Sequence, residues 1–157
     1  MDDLKFMKEY LKRYRSSLFK TDVSNQMIRM KEMLLEVKKN GRKVIIAGNG
    51  GSAAMASHVA VDFTKQGGIR TVNFNEADLI TCFANDYGYE FWVAKALEFY
   101  GDEGDVVILI SSSGSSNNIV NAAKTANQLG MPVITFTGFE PGNPLKNEGQ
   151  LNFWVYS

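Results

Sequence analysis

The 157-residue sequence predicts an α/β fold, a three-layer, doubly wound and mostly parallel sheet with helices on both faces. Short, uninterrupted apolar segments at Val44–Ala47 and Val106–Ile110 are typical of parallel strands that are buried on both faces. Each segment leads into a glycine-rich or serine-rich loop and then into a stretch of helical length. We therefore expect a single domain over residues 1–157, with helices in 1–41 and the α/β core in 42–157.

The N-terminal segment is predicted to form a hairpin of two amphipathic helices. Met7, Leu11, Tyr14 and Leu18 fall on one stripe of a 3.6-residue helix, and a second stripe runs along Val23–Val37. An apolar stripe has to be buried. The hairpin is therefore expected to lie on the sheet or on another subunit.

Strands and helices alternate through the rest of the chain. The elements expected after the first strand are a helix at Ala53–Lys65, a weak strand at Thr71–Phe74, helices at Asp78–Phe83 and Glu90–Tyr100, a helix at Asn118–Leu129, and strands at Pro132–Phe136 and Leu151–Val155. A polar turn is predicted at Asn85-Asp86-Tyr87-Gly88.

Composition excludes several classes of protein. Hydrophobic residues make up 45% of the chain and charged residues 22%, as in ordinary globular domains. The longest apolar segments are too short to cross a membrane, and the N-terminus does not resemble a signal peptide. Cys82 is the single cysteine, which excludes an internal disulfide and favours the reducing cytoplasm.

Charge is unevenly distributed along the chain. Residues 1–43 have a net charge of +6 and residues 44–157 a net charge of −6, which gives zero overall. The basic segment is either a solvated helical face or a surface that meets the acidic body of a neighbouring subunit. The overall balance disfavours nucleic acid as a partner, because nucleic-acid-binding domains are strongly basic.

Two loops are predicted to meet at the carboxyl edge of the sheet, where open α/β folds bind their ligands. Gly48–Ser52 is rich in glycine, so that a ligand can approach its backbone closely. Ser111–Ser116 presents five hydroxyls around one glycine. Both loops lead into helix N-termini, which favour anions. Since neither loop contains a basic residue, they predict a phosphorylated ligand held by hydroxyls and backbone amides.

The glycine-rich loop has a second interpretation. It matches the dinucleotide-binding pattern G-x-G-x-x-A, which also needs an acidic residue about 20 positions later, at the end of the second strand. The candidates Glu76 and Asp78 follow a poorly defined strand, so a nucleotide-dependent oxidoreductase is disfavoured. A flexible linker at Ser111–Ser116 is also disfavoured, because this loop directly joins a buried strand to an amphipathic helix.

Three motifs together resemble those of SIS-domain phosphoheptose isomerases: Gly48–Ser52, Ala84–Gly88 and Ser111–Asn118, in the family's order and with similar spacing. The resemblance spans nearly the whole chain. It implies the flavodoxin-like fold of SIS domains and the conversion of sedoheptulose 7-phosphate to an aldose heptose 7-phosphate, an early step toward the heptose of surface polysaccharides such as lipopolysaccharide or capsule. It also implies a cytoplasmic homotetramer with active sites at subunit interfaces, and a zinc ion.

The same resemblance assigns roles to residues. The phosphate would be held by Ser111, Ser112, Ser113 and Ser116. The sugar would be lined by Asn49, Gly50, Gly51, Ser52, Asn85 and Asp86. His58 and Asp62 match the family's catalytic and metal-binding pair, and their i, i+4 spacing puts both side chains on one helical face. Isomerisation through an enediolate needs a base, which Asp62 could supply, and a zinc ion could polarise the carbonyl.

Two departures from the family pattern keep other interpretations open. Asp62 is one methylene shorter than the family's Glu. The family also continues into a helix with a Gln and a His, whereas His58 is the single histidine here, so the sequence is either a piece of a longer chain or lacks an acid–base partner. A non-catalytic SIS module that binds a sugar phosphate, for example in replication initiation, is therefore the second hypothesis.

Without the resemblance, His58 and Asp62 would be an ordinary helix-face pair in which Asp62 orients the imidazole. Cys82 is expected to be a small buried apolar residue rather than a metal ligand.

Overall fold

Five parallel strands form one sheet in the computed structural model, which describes residues 2–19 and 21–156. Met1 and Ser157, the ends of the expected domain, and Lys20 in its N-terminal segment lie outside the described residues. The strands are β1 (Val44–Gly48), β2 (Thr71–Val72), β3 (Val106–Ser111), β4 (Val133–Thr137) and β5 (Leu151–Trp154). Their order across the sheet is β2-β1-β3-β4-β5, with every neighbouring pair parallel. This is the doubly wound, flavodoxin-like order that the sequence predicted.

Helices cover both faces of this sheet. They are α1 (Asp3–Phe19), α2 (Ser24–Lys39), α3 (Gly51–Lys65), α4 (Ala77–Tyr87), α5 (Trp92–Tyr100), α6 (Asn117–Gln128) and the short α7 (Pro144–Glu148). Across the described residues, every helix falls short of the length and apolar character that a membrane span requires.

Alternate residues of the central strands β1, β3 and β4 enter two separate cores. Ile45 and Ala47 of β1 pack with residues of α5 and α6, whereas Val44 and Ile46 pack with residues of α2 and α3. Because side chains alternate across a strand, an uninterrupted apolar segment can fill both cores at once. The three-layer prediction is confirmed.

The two N-terminal helices are both present but differ in burial. Leu34 and Val37 of α2 belong to the core between α2, α3 and the sheet. Across its described residues Asp3–Phe19, α1 has no buried side chain. One hydrogen bond, from Ser17 Oγ to the carbonyl oxygen of Tyr156 (3.0 Å), joins the end of α1 to the C-terminal segment. The apolar stripe of α1 is therefore not buried on the sheet.

The turn predicted at Asn85-Asp86-Tyr87-Gly88 needs correction. The last turn of helix α4 includes Asn85, Asp86 and Tyr87, so these residues do not form a separate polar loop. Gly88 caps the helix. The rings of Phe83 and Tyr87 contact each other edge to face one turn apart (5.8 Å between centroids), which helps the helix to continue. The sequence also gave no prediction for α7, although Asn143 and Pro144 are a typical cap and first residue.

The amino edge of the sheet is closed by a buried ion cluster. The carboxylate of Asp105 is fully buried and accepts hydrogen bonds from the backbone N–H of Lys43 (2.9 Å) and of Asp102 (2.8 Å). The Nζ atom of Lys43 lies 2.6 Å from Asp105 Oδ2 and 2.7 Å from Asp102 Oδ2. This cluster ties β1 to the turn that precedes β3.

The same cluster moves two pKa values in opposite directions. Burial alone would lower the pKa of Lys43, but its hydrogen bonds and attraction to Asp102 and Asp105 outweigh that effect and hold the pKa above its ordinary value. The hydrogen bond from Lys43 lowers the pKa of Asp102. Both shifts favour the charged pair.

Candidate functional site

The two predicted loops meet where the strand order of the sheet reverses. β1 and β3 are neighbours, and Gly48 pairs with Ile110 near their carboxyl ends. Connections from these two strands run to opposite faces of the sheet, which opens a crevice between the loops. A cavity of about 280 Å³ lies there. It is lined by Asn49, Ser52, Ile110, Ser111, Ser112, Ser113, Ser116 and Phe139.

The structure brings together six of the residues predicted to bind the substrate. Asn49, Ser52 and the four predicted serines of the serine-rich loop all line the cavity. Gly50 caps α3 and Gly51 is its first residue, and a Cβ on either would meet no atom within 4 Å. Their backbone is therefore open to a ligand. Asn85 and Asp86, in contrast, are exposed on α4 and do not line this cavity.

Gly48 allows the glycine-rich loop to turn tightly into α3. A Cβ at this position would lie 2.6 Å from the Cβ of Ser52 and 3.0 Å from the carbonyl oxygen of Ile110. Since real atoms do not approach so closely, only glycine lets β1 end against both α3 and β3.

The hydroxyls of the serine-rich loop contact one another. Ser111 is almost fully buried, and its Oγ donates to Ser116 Oγ (3.3 Å). The backbone N–H of Ser115 donates to Ser113 Oγ (3.2 Å). Among the described contacts, the Ser116 side chain makes no capping hydrogen bond to α6, although it occupies the cap position. The positive end of the α6 dipole therefore remains available to an anion in the cavity.

The segment after β4 supports the serine-rich loop from behind. Gly138 N–H donates to the carbonyl oxygen of Ser112, and Leu145 N–H donates to that of Gly114 (both 2.9 Å). Gly114 has a φ of 63°, and a Cβ there would collide with the buried side chain of Asn143. This close packing holds the loop in one shape, a role that no sequence pattern assigned to Asn143.

Phe139 also lines the cavity, a position that no sequence pattern predicts. Within residues 2–19 and 21–156 it is the one non-glycine residue with a positive φ, 50°. A left-handed backbone costs free energy for a side chain with a Cβ, and such strain is found mainly at functional sites. Its ring is about half exposed.

Two further residues reach Asn49 and had no predicted role. Asn118, in the first turn of α6, exchanges a pair of hydrogen bonds with Asn49 (3.0 and 2.8 Å). Tyr89, in the turn between α4 and α5, donates its hydroxyl to Asn49 Oδ1 (3.2 Å). Because these residues are distant in sequence from Asn49, only the fold brings them together.

His58 and Asp62 form the contact that their spacing predicted. Nε2 of His58 lies 3.5 Å from Oδ2 of Asp62, on a face of α3 where the two side chains are 81% and 51% exposed. Neither residue lines the cavity at the start of α3. His58 is seven positions after Gly51, which corresponds to about 10 Å along the helix axis.

This pair supplies only part of the ligand set that zinc requires. Zinc sites in proteins have at least three protein ligands. Within the part of the chain that the structure describes, no three His, Cys, Asp or Glu side chains converge on a possible metal site. His58 and Asp62 alone therefore do not fit a complete zinc site.

The structure corrects the prediction for Cys82, whose side chain is exposed rather than buried. It lies on α4 one turn before Asp86, with Sγ 3.8 Å from Asp86 Oδ2. The predicted burial fails because Cys82 lines an open cavity, together with Phe74 and Leu79, instead of packing in the core. Asn85 Nδ2 donates to the neighbouring Asp86 Oδ1 (2.9 Å).

A larger cavity, of about 640 Å³, lies elsewhere and argues against a dinucleotide site. Its lining includes Glu76 and Asp78 and none of the residues of the two loops. The acidic residues that would hold a ribose therefore face a different cavity from the glycine-rich loop.

Fold and cavity together define a class: doubly wound α/β domains with a crevice between a glycine-rich loop and a hydroxyl-rich loop. Comparison with known families identifies the class. A family model described as "SIS domain" matches residues 8–138, so the chain belongs to the SIS-domain family.

Within that family, the chain is similar to phosphoheptose isomerases. The enzyme of Cytophaga hutchinsonii is 36% identical over 126 residues, which cover 77% of this chain and 66% of that protein. The enzyme of Helicobacter pylori is 34% identical over 149 residues, which cover 90% of this chain and 77% of that protein. The resemblance found in the three motifs is confirmed.

Solved structures give the same result. A phosphoheptose isomerase from Neisseria gonorrhoeae superposes with a TM-score of 0.87 at 28% identity, covering 100% of this chain and 87% of that chain. The chain spans only 60% to 66% of the length of three of the curated relatives.

Proposed function

We propose that this chain is a sugar-phosphate isomerase of the phosphoheptose isomerase type, which converts sedoheptulose 7-phosphate to the aldose heptose 7-phosphate. The observation that carries the proposal is the serine-lined cavity at the N-terminus of α6, between the two loops that the chain has in common with the family. The similarity to named phosphoheptose isomerases supports the choice of substrate.

The cavity suits a phosphate better than any other part of the substrate. Five serines line it, and its lining contains no charged residue among those that the structure describes. Hydroxyl donors together with the N-terminal end of α6 would hold the phosphate, as helix N-termini hold anions in other folds. Asn49 and Ser52, on the other loop, would then face the sugar.

The reaction itself is a proton transfer between neighbouring carbons. A base removes a proton from C1 of the ketose, which leaves an enediolate across C1 and C2. A proton then enters at C2, and the O1 proton is transferred to O2, so that C1 becomes the aldehyde and C2 carries a hydroxyl. We assign the base to Asp62, because its exposed carboxylate is free to meet a substrate and His58 lies beside it.

An assembly of several copies would complete this site, and we propose the homotetramer that the family resemblance implies. The support is the long exposed apolar stripe of α1, which includes Leu11, Tyr14 and Leu18, together with the exposed position of Asp62. Changing Leu11 and Tyr14 to Glu should reduce the sedimentation coefficient to that of a smaller species. An unchanged coefficient would contradict the role of α1.

We further propose a cytoplasmic location and zinc binding that includes His58. The free thiol of Cys82 supports the first. The second requires a donor besides His58 and Asp62, and metal analysis of the purified protein would test it.

A second candidate is a non-catalytic SIS module that binds the same ligand. The specific observation in its favour is the separation of the cavity from the His58–Asp62 pair, which does not line it. Such a module would retain the phosphate site without turnover.

NMR of sedoheptulose 7-phosphate in D₂O with the protein, with and without added Zn²⁺, separates these functions. An aldose phosphate, or deuterium at the carbon next to the carbonyl, is the result expected of an isomerase. Ligand line-broadening or a raised melting temperature without exchange would indicate the binding module instead. No binding at all would contradict both.

A further inference from the structure

The carboxamide of Asn49 is held in a fixed orientation by α6. Its Nδ2 donates to Asn118 Oδ1 (3.0 Å), and Asn118 Nδ2 donates to Asn49 Oδ1 (2.8 Å). Asn118 is only 2% exposed, so water does not compete for these bonds. The pair connects the glycine-rich loop after β1 to the helix that follows the serine-rich loop.

Tyr89 reaches the same carboxamide from a third element. Its hydroxyl donates to Asn49 Oδ1 (3.2 Å), from the turn between α4 and α5. That turn is itself fixed to α6, since Asn121 Nδ2 donates to the carbonyl oxygen of Glu90 (2.9 Å). Asn118 and Asn121 are three positions apart and therefore share one face of α6. One helix face thus holds Asn49 both directly and through Tyr89.

These contacts use most of the hydrogen-bonding capacity of Asn49. A carboxamide oxygen has two lone pairs and its nitrogen two N–H donors. Among the described contacts, Oδ1 accepts from Asn118 and Tyr89, and Nδ2 gives one hydrogen to Asn118. The capacity that remains is one N–H. Asn49, which lines the cavity, can therefore donate to a ligand oxygen but has no acceptor left to offer.

We propose that Asn118 and Tyr89 are positioning residues that fix Asn49 as a hydrogen-bond donor to an oxygen of the sugar. This inference rests on the proposed function. The serines and the α6 N-terminus supply the donors for the phosphate, so the N–H of Asn49, on the opposite loop, serves the carbonyl or hydroxyl end. A donor that is already oriented stabilises negative charge on that oxygen in the enediolate without reorganisation.

The variant Tyr89→Phe tests the proposal with little risk to the fold, because Tyr89 is 54% exposed and loses only its hydroxyl. Calorimetry should measure sedoheptulose 7-phosphate and inorganic phosphate separately. We expect Tyr89→Phe to weaken sugar-phosphate binding about fivefold, as for one lost hydrogen bond, and to leave the affinity for inorganic phosphate unchanged. Tyr100→Phe, which alters an equally exposed tyrosine outside the cavity, is the matched control.

The variant Asn118→Leu should have a larger effect of the same kind, about tenfold or more, because it leaves both polar atoms of Asn49 without this partner. Adding Tyr89→Phe to Asn49→Ala should cause no further loss, since Tyr89 acts through Asn49. Equal loss of both ligands in Tyr89→Phe would overturn the inference in favour of a merely structural role, as would no loss at all. A wild-type protein that binds inorganic phosphate but not the sugar phosphate would overturn the proposed function and this inference with it.

Discussion

Polar side chains are paired within the protein at the amino edge of the sheet but face an open cavity at its carboxyl edge. At the amino edge, the carboxylate of Asp105 is buried and fully matched by Lys43 and two backbone N–H groups. At the carboxyl edge, Ser111, Ser113 and Ser116 line an open cavity; Ser111 donates to Ser116, and Ser113 accepts from the backbone N–H of Ser115. The first edge is closed without any ligand, whereas the second keeps donors that only a ligand could use.

This difference indicates where stability and binding reside. Removing a partner from a closed, buried cluster leaves an uncompensated charge, so changes at the amino edge should affect unfolding. Hydroxyls that face a cavity contribute little to the folded state, so changes at the carboxyl edge should affect ligand affinity. Turnover would depend on a third region, the exposed face of α3 that carries His58 and Asp62.

The largest expected effect concerns that third region. Asp62→Asn should reduce isomerase turnover about 10³-fold, because an amide cannot accept the C1 proton. Sugar-phosphate affinity and melting temperature should stay near those of the wild type, since Asp62 is exposed and outside the cavity. Asp62→Glu is the matched control and should retain activity, because it keeps the carboxylate. An active Asp62→Asn protein would assign the base to another group.

At the amino edge, Lys43→Met should lower the free energy of unfolding by about 3 kcal/mol, because Asp105 would keep a buried charge without its cation. Urea denaturation measures this change, and calorimetry should find ligand affinity unaltered. Lys95→Met, which removes a partly exposed ion pair with Glu98, is the control and should cost less than about 1 kcal/mol. Weaker binding in Lys43→Met would mean that the two edges are coupled.

The pH dependence of the free energy of unfolding, compared between the wild type and Lys43→Met, gives a second test of the amino-edge cluster. The raised pKa of Lys43 contributes stability below its ordinary value of 10.5, which is lost as pH rises through the folded-state pKa. The lowered pKa of Asp102 contributes stability above its ordinary value of 3.8, which is lost as pH falls through the folded-state pKa. The stability difference between wild type and Lys43→Met should therefore be greatest at intermediate pH.

At the carboxyl edge, the double variant Ser113→Ala, Ser116→Ala should weaken sugar-phosphate binding about 100-fold, because two hydroxyl donors to a charged group are lost. Its free energy of unfolding should change by less than about 1 kcal/mol. Ser16→Ala with Ser17→Ala, on α1 and outside the cavity, gives a matched control. If the double serine variant binds the sugar phosphate as tightly as the wild type, the serine-rich loop does not bind the phosphate.

The smallest expected effect concerns the strained residue of the cavity rim. Phe139→Gly should unfold with a free energy about 1 kcal/mol higher than Phe139→Ala, because glycine adopts a φ of 50° more readily than alanine. Both variants lack the ring, so their difference reports the backbone alone. Equal stabilities would mean that the backbone at this position relaxes once the ring is removed.

Local sequence patterns predicted the centre of the fold better than its margins. β1 and β3 were recognised because strands buried on both faces need continuous apolar segments. The strand expected at Thr71–Phe74 shrinks to Thr71–Val72, since β2 is an edge strand that, within the described part of the chain, has β1 as its single partner. Helix α4 continues through Tyr87 because the rings of Phe83 and Tyr87 contact each other. The residues Asn85, Asp86 and Gly88 are common in turns, so composition alone predicts a turn there.

In the candidate site, too, some features could be predicted from local sequence patterns and others could not. Its two loops could be predicted because glycine and serine after a buried strand have a direct physical meaning. The link between Asn49 and Asn118 joins residues 69 positions apart and needs the neighbouring placement of β1 and β3. The positive φ of Phe139 reflects how the segment after β4 packs behind the serine-rich loop, which no local pattern records.

The proposed phosphate site has no lysine or arginine among the described residues that line it, and this has a consequence for how the ligand binds and is selected. Among the described residues the lining is uncharged, so the attraction for a dianion comes from the short-range N-terminal end of α6 rather than from a side-chain cation, and salt has less charge to screen than in a basic pocket. Binding should therefore depend only weakly on ionic strength, unlike binding to a basic pocket. Selection among the many phosphorylated metabolites of a cell would then depend on shape and hydrogen-bond direction rather than on charge.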